Sequence, residues 1–238
     1  ALIGDLHIGL FSGHERQLNI IVTKINQQNP DLVLVAGDWT YEPENTLADE
    51  LAILKQIKAP VYSVNGNHDE QYPGPPIQNL LRHALKVNNV IDIEGQMVEF
   101  DEFRLLGVGD LWAGKTDMRY MPDLPQDKPW ILLSHNPDTV DMVPKLPNRP
   151  LMLSGHTHGG QVRIPWLGAV RTQNPLSRRI AMGLFTPFEL SAILNVKGDI
   201  NAFLYISRGL GLAFVPYMRW LAPRLLCRPE VTLITITN

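Results

Sequence analysis

Five short apolar runs in this 238-residue chain each end in side chains that can bind or move protons: "ALIGDLH" (1–7), "DLVLVAGD" (31–38), "PVYSVNGNHD" (60–69), "WILLSHNP" (130–137) and "LMLSGHTH" (151–158). Aliphatic runs closed by Gly, Asn or Asp read as buried strands entering tight turns. Between the first of them lie helical stripes. Leu18, Ile21, Val22 and Ile25 share one face over 13–28, and Leu47, Leu51 and Leu54 share another over 44–57. A third face joins Ile77, Leu80, Leu81, Ala84 and Leu85 over 77–87. Further strands are expected at 103–110, 202–209 and 231–237. This order predicts an α/β protein, with helices packed on one large mixed sheet or on two sheets face to face. With no internal repeat and no low-complexity linker, residues 1–238 read as a single domain.

In α/β sheets, ligands bind beyond the carboxyl ends of the strands, where neighbouring loops converge. Asp5, His7, Asp38, Asn67, His68, His135, His156 and His158 therefore point toward one cleft. Five of the seven histidines fall in this set, and only His14 and His83 lie outside it. The lone Cys227 leaves no internal disulfide and no cysteine-based zinc site. An oxygen and nitrogen donor set of this kind suits manganese, iron or zinc. It is poor for calcium and richer in imidazole than magnesium usually tolerates. Omitting His68, seven ligands are enough for two ions if one carboxylate bridges, and Asp38, in a tight Gly-Asp turn, is placed to do so. Two metals ~3.5–4 Å apart can generate a hydroxide and clamp an in-line displacement at phosphorus.

The ordered series Asp5-x-His7, Gly37-Asp38, Gly66-Asn67-His68-Asp69, His135 and Gly155-His156-x-His158 resembles the calcineurin-like metallophosphoesterases over residues 5–158. Further pieces, "GVGDLWAG" (107–114), "LLSHNPD" (132–138), "GHTHGGQ" (155–161), "YISRGLG" (205–211) and "RPEVTLITI" (228–236), resemble the bacterial branch of YaeI- and YkuE-like phosphodiesterases, often membrane-associated. The resemblance implies a four-layer αββα sandwich with two mixed sheets flanked by helices. It implies that Asp5, His7 and His158 bind one divalent metal, that Asn67, His135 and His156 bind a second, and that Asp38 bridges them. His68 would act as general acid or stabilise the transferring phosphoryl group, with Asp69 orienting its ring. The implied reaction is hydrolysis of a phosphodiester or pyrophosphate bond. A phosphoprotein phosphatase and a non-catalytic scaffold of the same fold are the rival readings. Gly4 stands where Ser is usual before the first Asp, and residues 176–200 and "MRWLAPRLL" (218–226) differ from the family pattern, which leaves the substrate open.

Charge bears on that substrate. The net charge is −3, but residues 1–159 carry 12 Lys and Arg against 21 Asp and Glu, whereas residues 160–238 carry 9 against 3. A basic C-terminal third suits an anionic partner such as a phosphate-bearing substrate or lipid headgroups; an ordinary solvated face is the plain alternative. Residues 174–194 and 214–228 interleave arginines, Arg178 and Arg179 among them, with aromatics and leucines, as a membrane interface would. A buried helix or a dimer contact would use the same residues. The expectation is an amphiphilic phosphoester, a phospholipid or a UDP-diacylglucosamine, met peripherally on the cytoplasmic side of the inner membrane. No nucleic-acid partner is expected, since no basic, base-stacking motif is visible. No 18-residue apolar run is present, and the chain opens as if in mid-strand, so a preceding N-terminal segment is expected. Trp39, Asp110 and Trp112 either line the cleft or pack beneath it, and Arg208 is a phosphate-binding candidate.

Overall fold

The computed structural model describes residues 1–10, 14–41, 46–70, 78–172, 178–195, 200–212 and 224–237. The first half lays down β1 (Leu2–Ile3), α1 (His14–Gln28), β2 (Val33–Ala36), α2 (Leu47–Glu50), β3 (Val61–Val64), α3 (Asn67–Glu70), α4 (Gln78–Val87) and β4 (Val90–Asp92). The four strands form one parallel sheet in the order β1-β2-β3-β4. The second half adds β5 (Met97–Glu99), β6 (Arg104–Val108), β7 (Trp130–Ser134), β8 (Leu151–Ser154), β9 (Arg163–Ile164), β10 (Gly168–Ala169), β11 (Gly183–Phe185), α5 (Pro187–Leu194) and β12 (Phe203–Ile206). Six of these make a mixed sheet in the order β11-β12-β8-β7-β6-β5, its four inner strands parallel and its two edge strands antiparallel. Strands β9 and β10 form a separate antiparallel hairpin.

Side-chain alternation along the strands builds three apolar layers. In β2, Val33 and Val35 face α1 and α4, while Leu34 and Ala36 face the other sheet. In β7, Ile131 and Leu133 face inward, and Trp130 and Leu132 face the outer helical segments and α5. Leu2, Val64, Leu105 and Leu153 complete the layer between the sheets. Two sheets flanked by helices follow directly, as the sequence predicts. One sheet is mixed; the other pairs its own strands only in parallel and gains an antiparallel contact from a single bridge.

That bridge, Leu2 to Thr232, is all that forms of the strand expected over 231–237. Its partner β1 is two residues long, so it offers one bonding pair and no more. The helix expected over 44–57 is also divided: α2 is four residues, and Ala52–Gln56 tightens into a 3-10 turn closed by Leu54 N–H to Leu51 O and Ile57 N–H to Leu54 O. Leu47, Leu51 and Leu54 are nevertheless all buried, because a 3-10 turn also returns to the same face every third residue. Within 174–194, α5 starts at a capping box in which Thr186 and Glu189 satisfy each other's backbone, and it buries Leu190 in the outer core. No described helix is long and apolar enough to cross a membrane.

The inter-sheet layer should dominate stability. Leu133→Ala, at a fully buried site, should lower the unfolding free energy by about 2–5 kcal/mol in a denaturant titration, whereas Leu184→Ala, on an exposed edge, should change it by less than ~0.5 kcal/mol.

Candidate metal centre

The ends of β1, β2 and β3 in one sheet meet the ends of β7 and β8 in the other. Five of the residues there, Asp5, His7, Asp38, His156 and His158, have positive φ (53°, 51°, 53°, 71° and 52°). Left-handed backbone is uncommon outside glycine, and it turns each side chain back across the strand end rather than along it. The loops hold one another: Asp5 N–H donates to Gly37 O at 2.9 Å and His7 N–H to Asp38 O at 3.1 Å. A Cβ at Gly66 would collide with the Asp38 carboxylate, and one at Gly209, which has φ of 65°, would collide with Asp5. Both glycines are there so that backbone can lie against a carboxylate.

The side chains form two clusters with one common member. Asp5, His7, Asp38 and His158 place ligand atoms within 4.8 Å of one another, and so do Asp38, His135 and His156. Asp38 Oδ2 lies 3.5 Å from His7 Nε2 and 3.2 Å from His135 Nε2, while Oδ1 accepts from the His68 N–H at 3.0 Å. Asn67 Oδ1 sits 3.2 Å from His135 Nε2, which places it with the second cluster. His135 Nδ1 lies 2.7 Å from Ala36 O; donating there fixes the tautomer that leaves the Nε2 lone pair facing the centre. All seven side chains are buried.

Such a cluster is unfavourable on its own. Burial raises the Asp5 carboxyl to about 7 and lowers His7 and His156 to about 3, and it takes His158 well below the usual histidine range. Burial would also raise Asp38 and lower His135, but here the mutual attraction wins: His135 reaches about 10, and Asp38, beside His135 and His68, stays well below its ordinary value. Asp5 Oδ2 and His156 Nε2 are buried without a hydrogen-bond partner, and His7 Nε2 faces His158 Nε2 at 3.0 Å. Each such orphan costs about 1–3 kcal/mol. Divalent cations placed between the facing nitrogens, His7 Nε2 with His158 Nε2 and His135 Nε2 with His156 Nδ1, each pair at 3.0 Å, would satisfy their lone pairs, so the donor set fits a metal centre.

His68 is half-buried at the rim. Its ring meets His7 edge-on at 4.9 Å and Tyr41 at 4.7 Å between centroids. Asp69 lies elsewhere than expected. Its described hydrogen bonds come from Trp39 N–H (3.1 Å), Thr40 N–H (3.0 Å), Thr40 Oγ1 (3.1 Å) and Gly66 N–H (2.9 Å), and none comes from the His68 ring. The carboxylate thus ties the Asp38 loop to the α3 loop. Trp39 is core, wholly buried with its indole N–H donating to Ser63 Oγ at 2.6 Å. Trp112 is cleft, its ring edge-to-face with His156 at 5.0 Å. Asp110 is wholly buried behind it and accepts from Ala113 N–H at 2.8 Å.

Two arginines differ from expectation. Arg208 is paired with Glu230 and is not poised for phosphate. Arg224, counted with the membrane-facing residues, instead donates to Gly211 O at 2.9 Å and to His158 O at 3.4 Å, beneath the centre. Tyr41 and Arg224 carry no local sequence signal for these places, because each acts across a loop contact distant in the chain. A groove of about 760 Å³ runs from His7 along α1, lined by Leu6, Leu10, Ile20, Leu210, Leu212 and Val231 among others.

Comparison with known proteins agrees with this geometry. The calcineurin-like phosphoesterase profile matches residues 1–160. The chain is 31% identical to phosphodiesterase YaeI of Escherichia coli, covering 98% of this chain and 80% of that one. It is 27% identical to the uncharacterized metallophosphoesterase YkuE of Bacillus subtilis (98% and 77%). It is 30% identical to the UDP-2,3-diacylglucosamine pyrophosphatase LpxG of Chlamydia trachomatis (98% and 81%). Uncharacterized metallophosphoesterases of Campylobacter jejuni and Helicobacter pylori are longer, and the chain spans 56% of each. The chain belongs to the calcineurin-like phosphoesterase family, and its buried aspartate–histidine cluster makes it a metal-dependent phosphoesterase.

Proposed function

We propose that the chain hydrolyses a phosphodiester or pyrophosphate bond with two divalent ions, manganese, iron or zinc. Asp5, His7 and His158 hold one ion, Asn67, His135 and His156 hold the other, and Asp38 bridges. The observation that carries this reading is the membership of Asp38 in both ligand clusters, with Oδ2 between His7 and His135. Bound ions would supply Lewis acidity toward a phosphoryl oxygen and lower the pKa of water beside it. The chain's own part is to hold the side chains in register, with His135 Nδ1 tied to Ala36 O, to exclude bulk water by burying the centre, and to present His68 at the rim. From there the His68 ring, with Tyr41 beside it at 4.7 Å between centroids, can donate a proton to a leaving oxygen or stabilise the phosphoryl group.

We extend the proposal to an amphiphilic substrate, a phospholipid or a nucleotide-linked lipid such as a UDP-diacylglucosamine, met at a membrane surface. Three observations support it: the apolar groove that begins at His7, the basic C-terminal third, and the pyrophosphatase named for the LpxG relative. Within 174–228, Arg178, Arg179, Leu184 and Phe188 are exposed; Phe185 packs on the outer core, and residues 174–177, 196–199 and 213–223 lie outside the described residues.

The bridging role predicts that Asp38→Asn loses most of its metal by elemental analysis, while circular dichroism stays native; a fully loaded variant would refute it. For His68→Asn, both ions should stay bound while turnover falls ~10²–10⁴-fold on substrates with a poor leaving group, and less on a nitrophenyl diester. Equal losses on both would assign His68 to charge stabilisation instead. Substrate class is decided by comparing a UDP-diacylglucosamine in mixed micelles, a soluble nitrophenyl diester and a phosphopeptide, with manganese, iron or zinc supplied in turn. The lipid-linked substrate should give the highest kcat/KM. Preference for the phosphopeptide would favour the phosphatase reading, and no turnover with any of the three metals would favour a scaffold.

A further inference from the structure

The β9–β10 hairpin grows out of the turn that carries His156 and His158, and Arg163 Nη1 donates back to Gly159 O at 2.9 Å. Most of its apolar side chains are exposed: Ile164, Trp166, Leu167 and Val170 all are, and Trp166 at the tip is wholly so, while Ala169 is buried. Leu225 joins the same patch, since Arg163 N–H donates to Leu225 O at 3.0 Å; Leu225 and Leu226 are both more than half exposed. An apolar patch of this kind on a protein surface marks a contact with something else.

The tip is costly for an isolated domain. Trp166 has φ of 64°, and Leu167 N–H bonds to Pro165 O at 2.8 Å, the i to i+2 closure of a γ-turn with positive φ, the rarer and strained form. Glycine or asparagine would relieve the turn, and the Trp166 side chain is wholly exposed. The surrounding charge narrows the choice of partner. Arg163 and Arg171 lie on the two arms, and no Asp or Glu occurs between Asp141 and Glu189. An exposed indole beside exposed aliphatic side chains, with Arg163 and Arg171 farther down the hairpin, suits the headgroup layer of an anionic bilayer, where the ring's apolar body and polar N–H are both satisfied. Trp166 is eight residues beyond His158, at most about 26 Å of extended chain, so a seated tip would hold the metal centre at the membrane surface.

We propose that the β9–β10 hairpin, tipped by Trp166 and flanked by Leu225 and Leu226, docks this protein onto anionic phospholipid bilayers. This deepens the membrane reading given above and moves its main contact from 174–194 to 163–170. The test uses the full, metal-loaded chain with vesicles of phosphatidylglycerol and phosphatidylcholine, and with phosphatidylcholine alone. Wild type should co-sediment with the anionic vesicles, and Trp166→Ser with Leu167→Ser should weaken that binding ~10-fold or more while metal content and turnover of the soluble diester stay unchanged. Arg171→Glu should weaken binding to anionic vesicles and leave any binding to neutral ones unaltered. Brominated lipid should quench the wild-type tryptophan fluorescence, and Trp166→Phe should remove that quenching. Absence of wild-type binding, or equal binding by the double variant, would overturn the proposal. So would a dimer in sedimentation that Trp166→Ser dissociates, since the patch would then join two copies of the chain. Vesicle binding is read without turnover, so a failed activity assay with intact binding would count against the substrate reading alone.

Discussion

Two carboxylates and four imidazoles are removed from water together at the strand ends, and the structure is organised around that expense. Desolvation acts against every charged form in the cluster, raising Asp5 and lowering His7, His156 and His158. Only the Asp38–His135 pair escapes, because its members attract each other strongly enough to remain ionised. Asp38 is the hinge of the arrangement: one oxygen is fixed by the His68 N–H, and the other is left between the two halves of the cluster. A divalent cation held there would convert an unfavourable burial into a bound state.

Holding that cluster in place is the task of the residues around it. Asp69 gathers N–H groups from two different loops, and Arg224 reaches the His158 carbonyl from a segment remote in sequence. Trp39 packs directly behind Asp38 and ties its indole to β3 through Ser63. Beneath them, alternation on β2 and β7 locks the two sheets through the layer that contains Leu34, Leu133 and Leu153. The strained positive-φ residues of the cluster are tolerated because that layer and these bonds over-determine their positions.

The rim is less constrained than the floor, and there the chain has its individual character. Tyr41 and Trp112 place aromatic surface beside His68 and His156, a groove leaves His7 along α1, and the β9–β10 hairpin carries an uncovered indole away from the centre. The same buried cluster can therefore be surrounded by different rim chemistry, and function depends on that rim as well as on the fold.

The sequence by itself determined the strands, the helical faces and the polar residue at each strand end, because apolar periodicity and turn chemistry are local properties. Asp5, His7, Asp38, Asn67, His135, His156 and His158 were legible for that reason, and the structure brings all seven together. The expected strand at 231–237 and the full helix at 44–57 were not realised, since both depend on the partner offered: β1 has one pair to give, and the 3-10 turn buries the same leucines. Asp69 looked like a partner for His68 because it is next to it in the chain, but α3 turns its carboxylate toward the Asp38 loop. Tertiary structure alone decided that Trp39 is core and Trp112 is cleft, that Arg224 lies under His158, and that Trp166 stands clear of the fold. Each of these depends on which distant segment comes to lie against the residue, and that is set by the packing of the two sheets.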